Sequence, residues 1–222
     1  MKINRFGSAK LFTWDKDYFL KLITDEKNPL VTDPVLISAF KNIDRADFVP
    51  VQLKHLAYYD QDIDVGYGEK MIRAIFIAQM LSLLKPQLGG KYLDIGTGTG
   101  YVATLLGYIA GKQGQVYTIE RVQWFWEQAR SNAKKYPDIQ NITFLYRDGL
   151  DGLPNKAPFD GIRVGFAIDD VSQLRKQLKH GGRLVYPTSD YSLRVLVRKG
   201  VYEYEEEVLP GIVIEKGKVG VA

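Results

Sequence analysis

A glycine-rich segment near the middle of the chain constrains the fold more than any other feature. Residues 92–101 read YLDIGTGTGY, a short apolar run with an acid, Asp94, followed by three alternating glycines: Gly96, Gly98 and Gly100. Glycine lets the backbone turn tightly and approach a ligand without a Cβ atom in the way. A helix that begins after such a turn offers unpaired N–H groups and the positive end of its dipole. The segment predicts a nucleotide-cofactor pocket at the end of the first strand of an α/β sheet.

The residues around these glycines favour S-adenosylmethionine over a dinucleotide. The dinucleotide fingerprint has a small residue three positions after its second glycine, whereas the bulky Tyr101 stands there. Asp94, two residues before Gly96, would repel a pyrophosphate and attract a cationic methionine group. A glycine-rich strand–helix turn without a ligand is the alternative that the pattern leaves open.

Strands and helices alternate after residue 91. The pattern predicts strands at 92–95, 115–119, 142–146, 159–164 and 183–186, and helices at 102–108, 123–135 and 171–178. Before them we expect helices at 15–24, from residue 34 and at about 72–84, and after them an antiparallel hairpin at 193–198 and 202–208. Such alternation predicts an α/β fold with a mostly parallel, twisted sheet and helices on both faces.

Composition limits the chemistry that the chain can perform. A length of 222 residues with 45% hydrophobic content is enough to bury one substantial core. The sequence has no cysteine and two isolated histidines, His55 and His180, so we expect no disulfide, no thiolate chemistry and no metal site. His180 stands where a predicted helix ends, and we expect a structural role for it at that terminus.

Charge and targeting signals indicate a cytoplasmic protein without a membrane or nucleic-acid partner. The net charge of +4 is modest, and we expect the basic residues near the N-terminus to form a solvated face: Arg5, Lys10, Lys16 and Lys21. Residues 1–7 are basic but lack the apolar stretch of a signal peptide. No apolar run in the sequence is long enough to span a bilayer.

Two further acids follow the next two predicted strands. Glu120 lies roughly 20 residues beyond the glycine loop, where an acid can accept hydrogen bonds from both ribose hydroxyls. Asp148 follows the third strand, where it could bind an adenine amino group. Each acid alone is more often an ordinary surface carboxylate. Three acids at the carboxyl ends of three consecutive strands indicate a cofactor site.

Several segments, in this order, resemble the protein L-isoaspartyl O-methyltransferase family over nearly the whole chain. They are IDRADFVP (43–50), AYYD (57–60), GYG (66–68), the glycine loop with its tyrosine, IER (119–121), DG (148–149), PFD (158–160) and LKHGGRLVYP (178–187). The glycine loop is common to many methyltransferases. The Arg-x-x-Phe-Val-Pro pattern of the first segment and the GYG block are what narrow the resemblance to this family.

The resemblance implies a Rossmann-like class I methyltransferase fold that uses S-adenosyl-L-methionine for protein repair. The partner would be a protein or peptide with a carboxylate, and the enzyme would be a monomer. The implied cofactor-binding residues are Asp94, Gly96, Thr97, Gly98, Gly100, Tyr101, Glu120, Arg121, Asp148 and Gly149. We expect one domain over residues 1–222, with a helical leader and acceptor loop (1–88), a cofactor-binding core (89–188) and C-terminal strands (189–222).

The segment after GYG departs from the family. There the family has a Gln-Thr-Ile-Ser-Ala-Pro-His type of sequence, whose serine is the active-site hydroxyl, whereas residues 69–75 read EKMIRAI. Ile72 occupies the serine position, and Gly165-Phe166-Ala167 replaces the family's Thr-Ala-Ala stretch. Arg73 could hold an acceptor carboxylate through a charge-assisted pair, or it could lie in the exposed first turn of a helix.

Three functions therefore stay open at the level of sequence. The leading one is carboxyl methyl transfer of the isoaspartyl-repair type with an altered acceptor loop. The others are a methyltransferase that acts on a different acceptor and a non-catalytic protein that binds S-adenosylmethionine. Within the WFW cluster at 124–126 we expect one aromatic ring to pack on the adenine and the others on the sheet, although all three could serve helix packing.

Overall fold

A computed structural model describes residues 14–211 of the chain. Its helices are α1 (Lys16–Ile23), α2 (Pro34–Asn42), α3 (Ala74–Leu84), α4 (Tyr101–Ala110), α5 (Gln123–Ala133) and α6 (Ser172–Arg175), with short 3₁₀ helices at Arg45–Phe48, Val51–Leu56 and Pro154–Lys156. Its strands are β1 (Ile63–Gly66), β2 (Glu69–Met71), β3 (Lys91–Ile95), β4 (Gln115–Glu120), β5 (Ile142–Tyr146), β6 (Phe159–Val164), β7 (Leu178–Pro187), β8 (Ser192–Arg198) and β9 (Tyr204–Pro210).

The large sheet has seven strands in the order β5-β4-β3-β6-β7-β8-β9. The first five strands in this order, β5, β4, β3, β6 and β7, run parallel to one another. Strands β8 and β9 are added antiparallel at one edge. The chain leaves β3 towards β4 on one side and returns to β6 on the other, so the strand order reverses between β3 and β6. Open α/β sheets bind ligands at the carboxyl ends of the strands beside this reversal. The predicted fold class is confirmed.

The leader helices begin where their sequences carry capping acids. The Asp15 side chain accepts a hydrogen bond from the Tyr18 amide, and Asp33 Oδ1 accepts from Val35 and Leu36 at 2.8 and 2.9 Å. Such caps satisfy N–H groups that a helix leaves unpaired at its first turn. The antiparallel pair β1–β2, which lies between the leader and α3, is a hairpin that the sequence patterns did not predict.

One prediction about helix ends was wrong. The helix expected at 171–178 covers only Ser172–Arg175, and β7 already begins at Leu178. The spacing of Leu174 and Leu178 imitates a helical face, but Leu178 pairs with Phe159 in the sheet. His180 therefore lies exposed in a strand and serves no helix terminus.

Residues 1–13 and 212–222 lie outside the described residues, and with them the predictions for the N-terminal start and for Arg5 and Lys10. Within residues 14–211, no helix is long and apolar enough to cross a membrane. The same stretch contains no group of three or more His, Asp or Glu side chains placed to hold a metal ion.

Candidate functional site

A cavity opens at the carboxyl ends of β3, β4 and β6, beside the reversal of strand order. Counted together with its solvent-open mouth, the cavity has a volume of about 1160 Å³. We call one side the strand-end wall; it is formed by the glycine loop and the residues that follow the strands, including Gly96, Thr97, Gly98, Thr99, Tyr101, Glu120, Arg121, Asp148, Gly149, Arg163 and Phe166. We call the other side the hairpin wall; it is formed by Asp62, Val65, Glu69, Lys70, Met71 and Ile72.

Two residues of the glycine loop, Gly96 and Gly98, line the cavity with backbone alone. The Gly96 and Thr97 amides donate to the Ile119 carbonyl at 2.9 and 3.1 Å, which ties the loop to β4. Gly98 has a positive φ of 53°, and a Cβ added there would have no atom within 4 Å. Gly100 does not line the cavity; a Cβ at this residue would lie 3.0 Å from Ala129, so this glycine permits α4 to pack on α5.

Glu120 is a buried carboxylate that the backbone holds in place. Its Oε2 accepts from the Gly98 amide at 2.8 Å, and its Oε1 accepts from the amides of Arg121 and Val122 at 2.9 Å each. Burial raises the pKa of Glu120 above its ordinary value, and these three hydrogen bonds oppose the rise. Each carboxylate oxygen can accept more than one hydrogen bond, so Glu120 still has capacity for ribose hydroxyls.

The loop after β5 places Asp148 and Gly149 on the same wall. Asp148 Oδ1 accepts from the Leu150 amide at 2.9 Å, which fixes the carboxylate at the cavity edge. A Cβ at Gly149 would lie 2.5 Å from a methyl group of Ile95, so this position requires glycine. Ile95 and Ile119 provide the apolar floor between the glycine loop and this edge.

Asp94 is placed differently from the other acids. It is fully buried and is not among the residues that line the cavity. Its Oδ1 accepts from Arg163 Nη1 at 3.0 Å and its Oδ2 from the Thr118 hydroxyl at 3.1 Å. Burial raises the pKa of Asp94, and Arg163 opposes the rise. The carboxylate thus acts on the cavity through Arg163, and its direct contact with a cofactor stays a prediction.

On the hairpin wall, Ile72 lines the cavity and Arg73 does not. Arg73 lies at the N-terminus of α3, and its amide donates to Asp62 Oδ1 at 2.9 Å. Its side-chain Nε lies 4.0 Å from the same oxygen, with 37% of the side chain exposed. This position matches the second interpretation of the sequence, an exposed first helical turn, and an acceptor contact of Arg73 stays a prediction.

A fully buried arginine fixes Ile72 from behind. Arg45 Nη2 donates to the Ile72 carbonyl at 2.6 Å, and its Nε donates to the Ala57 carbonyl at 2.6 Å. Its guanidinium carbon lies 5.5 Å from the centre of the Tyr101 ring, and burial lowers the pKa of Arg45 to about 10. Arg45 therefore joins the leader segment, the hairpin wall and the first residue of α4.

The two walls also approach each other at the end of the cavity where Glu120 lies. The exposed Tyr67, at the turn of the hairpin, lies with its ring centre 5.2 Å from that of Trp124. Glu69 Oε1 lies 4.0 Å from Arg121 Nη1. Of the aromatic cluster, Phe125 is buried and lines the cavity, and Trp126 Nε1 donates to the Phe144 carbonyl at 3.2 Å. Which ring faces an adenine stays a prediction.

Sequence reasoning missed Arg163 and Phe166. Arg163 is a charged residue in the otherwise apolar end of a buried strand, a signal that could have identified it. The ring of Phe166 packs on the glycine loop so closely that a Cβ at Gly96 would lie 3.1 Å from a ring carbon. No sequence pattern predicts this contact.

Comparisons with known proteins find relatives that match most of the chain. The family described as protein-L-isoaspartate(D-aspartate) O-methyltransferase matches residues 19–207. A protein-L-isoaspartate O-methyltransferase of Staphylothermus marinus is 38% identical over 181 residues, which are 78% of this chain and 80% of that protein. The homologous protein of Methanothrix thermoacetophila is 32% identical over 179 residues, 80% of this chain and 85% of the relative.

A solved structure supports the fold. A Plasmodium falciparum protein assigned to the protein-L-isoaspartate O-methyltransferases, crystallised with S-adenosyl-L-homocysteine, superposes with a TM-score of 0.77. The match covers 91% of this chain and 98% of that one at 19% sequence identity.

Proposed function

The chain belongs to the protein-L-isoaspartate(D-aspartate) O-methyltransferase family of S-adenosylmethionine-dependent enzymes, and we propose that it methylates the carboxylate of an isoaspartyl residue in a protein or peptide. The observation that carries the proposal is the strand-end wall, in which the open glycine loop, Glu120 and Asp148 meet at one side of one cavity. We further propose that the enzyme acts as a monomer in the cytoplasm.

The residues of this wall fit S-adenosylmethionine. The Gly98 backbone faces space that a Cβ would enter, so a ligand can approach the peptide closely. Glu120 would accept hydrogen bonds from the ribose hydroxyls, and Asp148 would accept one from the adenine amino group. The buried methyl and ring surfaces of Ile95, Ile119 and Phe125 would cover the apolar part of the nucleoside.

The bound cofactor supplies a methyl group: a carboxylate oxygen of the acceptor bonds to the methyl carbon as the carbon–sulfur bond breaks and its electron pair stays on sulfur. The acceptor is already anionic near neutral pH, so no residue of the chain has to remove a proton. The protein contributes by holding the two reactants in line and by excluding water. An active-site hydroxyl is therefore an aid to orientation and is dispensable in principle.

Ile72 at the serine position favours a second candidate, a methyltransferase of the same fold with a different acceptor. The cavity side of Ile72 offers no hydroxyl, and the loss of one orienting hydrogen bond costs about 1–3 kcal/mol when nothing replaces it. The relatives that are 32–38% identical carry the isoaspartyl name, which is why the isoaspartyl acceptor leads.

A transfer assay with methyl-labelled cofactor tests both candidates. Two synthetic peptides of one sequence are compared, one with an isoaspartyl and one with an aspartyl residue. We expect methyl ester formation on the isoaspartyl peptide alone. Equal labelling of both peptides, or label on neither while S-adenosylhomocysteine binds, would favour a different acceptor.

A further inference from the structure

Arg163 has guanidinium capacity that no described residue uses. Its Nη1 donates to Asp94 Oδ1 at 3.0 Å and lies 3.4 Å from the Gly96 carbonyl. No residue within 14–211 accepts a hydrogen bond from Nε or Nη2. The residue is only 3% exposed, and it lines the cavity.

The surroundings of Arg163 hold it in one orientation. It pairs in register with Asp94 on the neighbouring strand β3, and Asp94 is itself fixed by the Thr118 hydroxyl. Its Nη1 lies 2.7 Å from where a Cβ of Gly165 would stand, so a side chain at that position would displace the guanidinium. The pair occupies the junction of β3 and β6, at the reversal of strand order, under the glycine loop.

The other basic residues on the cavity lie elsewhere and are more exposed. Arg121 lies near Glu69 at the ribose end, with 21% of its side chain exposed. Arg147 follows β5 at the adenine end and is exposed, and Lys70 is exposed on the hairpin. Arg163 is the buried cation among these four residues.

A buried guanidinium is costly unless its donors are satisfied, and a carboxylate matches its planar fork with two parallel hydrogen bonds. Asp94 already accepts a hydrogen bond from Nη1. A ligand carboxylate would therefore accept from the two remaining donors, Nε and Nη2. The geometry points to Arg163 as the residue that binds a ligand carboxylate at the methyl-donor end of the cavity. This inference rests on the proposed function, because it assigns a carboxylate subsite within the same cavity.

Two molecules in the proposed reaction carry such a group. One is the cofactor, through the carboxylate of its methionine part, and the other is the acceptor, through the carboxylate to be methylated. Both have the same chemistry, and binding measurements separate them. S-adenosylhomocysteine retains the amino-acid carboxylate, whereas 5′-methylthioadenosine has the nucleoside and the sulfur without it.

The test uses Arg163→Lys and Arg163→Met. Lysine keeps a charge beside Asp94 but loses the fork, and methionine removes both. Because Arg163→Met leaves a buried Asp94 unpaired, Asp94→Asn/Arg163→Met is made as a neutral second variant. Arg183→Met is the matched control, since Arg183 lies in the adjacent strand β7 outside the cavity and donates to the Leu83 carbonyl.

Calorimetry and steady-state kinetics give the readouts. If the methionine carboxylate is the ligand, the Kd of S-adenosylhomocysteine rises about tenfold or more in all three Arg163 variants, while the Kd of 5′-methylthioadenosine stays constant. If the acceptor carboxylate is the ligand, both Kd values stay constant and the KM for the isoaspartyl peptide rises by a similar factor. Either pattern, absent in Arg183→Met, supports the inference.

The inference is overturned if neither Kd nor KM changes, or if both nucleosides lose affinity equally, which would indicate a purely structural role. Failure of the proposed function looks different. In that case the wild-type protein binds neither nucleoside. The proposed carboxylate subsite is then rejected together with the function proposed for the cavity.

Discussion

The strand-end wall and the hairpin wall enclose one cavity but satisfy their polar groups in different ways. On the strand-end wall, Glu120 and Asp148 accept hydrogen bonds from nearby amides, and Arg163 is paired with the buried Asp94 behind it. On the hairpin wall, Ile72 presents an apolar side chain, and its backbone is held by Arg45 from outside the cavity. The strand-end wall therefore carries charged side chains that are held in place before any ligand binds. The hairpin wall is also held in place, but it has no hydroxyl at Ile72.

This difference indicates which part of the reaction each wall can control. Preorganised carboxylates and amides need little rearrangement when a charged ligand binds, so they favour affinity and orientation. The apolar residues of the hairpin wall, Val65, Met71 and Ile72, supply shape and water exclusion, with less directional control over a polar acceptor. We therefore expect substitutions on the strand-end wall to change stability and cofactor affinity, and those on the hairpin wall to change the choice and rate of the acceptor.

The largest effect is expected for Asp94→Ala. It leaves the Arg163 guanidinium buried without its partner, and breaking a buried ion pair in this way costs about 3–5 kcal/mol of unfolding free energy. Urea denaturation followed by circular dichroism measures the loss. Adding Arg163→Met should restore most of it, because the double variant buries no unpaired charge. A single variant as stable as the wild type would contradict this description of the strand-end wall.

Arg45→Met is expected to have the next largest effect and to act on the hairpin wall. The carbonyls of Ile72 and Ala57 would lose their donors, and each unsatisfied buried group costs about 1–3 kcal/mol, partly offset by removal of a buried charge. We expect a net loss of about 2 kcal/mol in unfolding free energy and a raised KM for the acceptor. Hydrogen exchange should show faster opening at residues 69–73, with the glycine loop unchanged. A change confined to the glycine loop would break the distinction between the walls.

The strand-end wall was largely predictable from the sequence because its signal is local. A glycine loop and the acids that follow consecutive strands occupy set positions along the chain, so Gly98, Glu120 and Asp148 could be placed before the structure. Arg163 could not be assigned a role in this way, since its partner Asp94 is 69 residues distant in sequence and the contact depends on strand register. The hairpin wall was less predictable still, because Arg45 reaches Ile72 across 27 residues without a periodic pattern.

Glu120→Ala should weaken binding of S-adenosylmethionine by about 2 kcal/mol, since the ribose hydroxyls lose a charged acceptor. Calorimetry measures the change. Glu127→Ala is the matched control, because Glu127 lies exposed on α5 outside the cavity. Unchanged affinity in Glu120→Ala would remove this residue from the site.

The pH dependence of Glu120 sharpens the same prediction. Burial raises its pKa, so the folded protein binds the proton more tightly than the unfolded chain. Its contribution to the unfolding free energy of the ligand-free protein therefore falls as pH rises from the unfolded to the folded pKa. Cofactor binding needs the ionised carboxylate, so affinity should fall in the opposite direction, on acidification through the raised pKa. Glu120→Ala should abolish that affinity change, and its persistence would assign the titration to another group.

The smallest effect is expected for Ile72→Ser, and it tests the hairpin wall directly. Ile72 lines the cavity and its backbone is already held by Arg45, so a serine hydroxyl there would enter a prepared position. One added orienting hydrogen bond is worth about 1 kcal/mol, which corresponds to a several-fold rise in kcat/KM on the isoaspartyl peptide. Ile75→Ser is the matched control, because it makes the same substitution at the second residue of α3, which does not line the cavity. Arg73→Ala should lower activity if Arg73 turns from Asp62 to an acceptor, and should leave it unchanged if Arg73 only begins the helix. An isoaspartyl activity that is already robust in the wild type and does not respond to Ile72→Ser would show that the hairpin wall orients its acceptor without this hydroxyl.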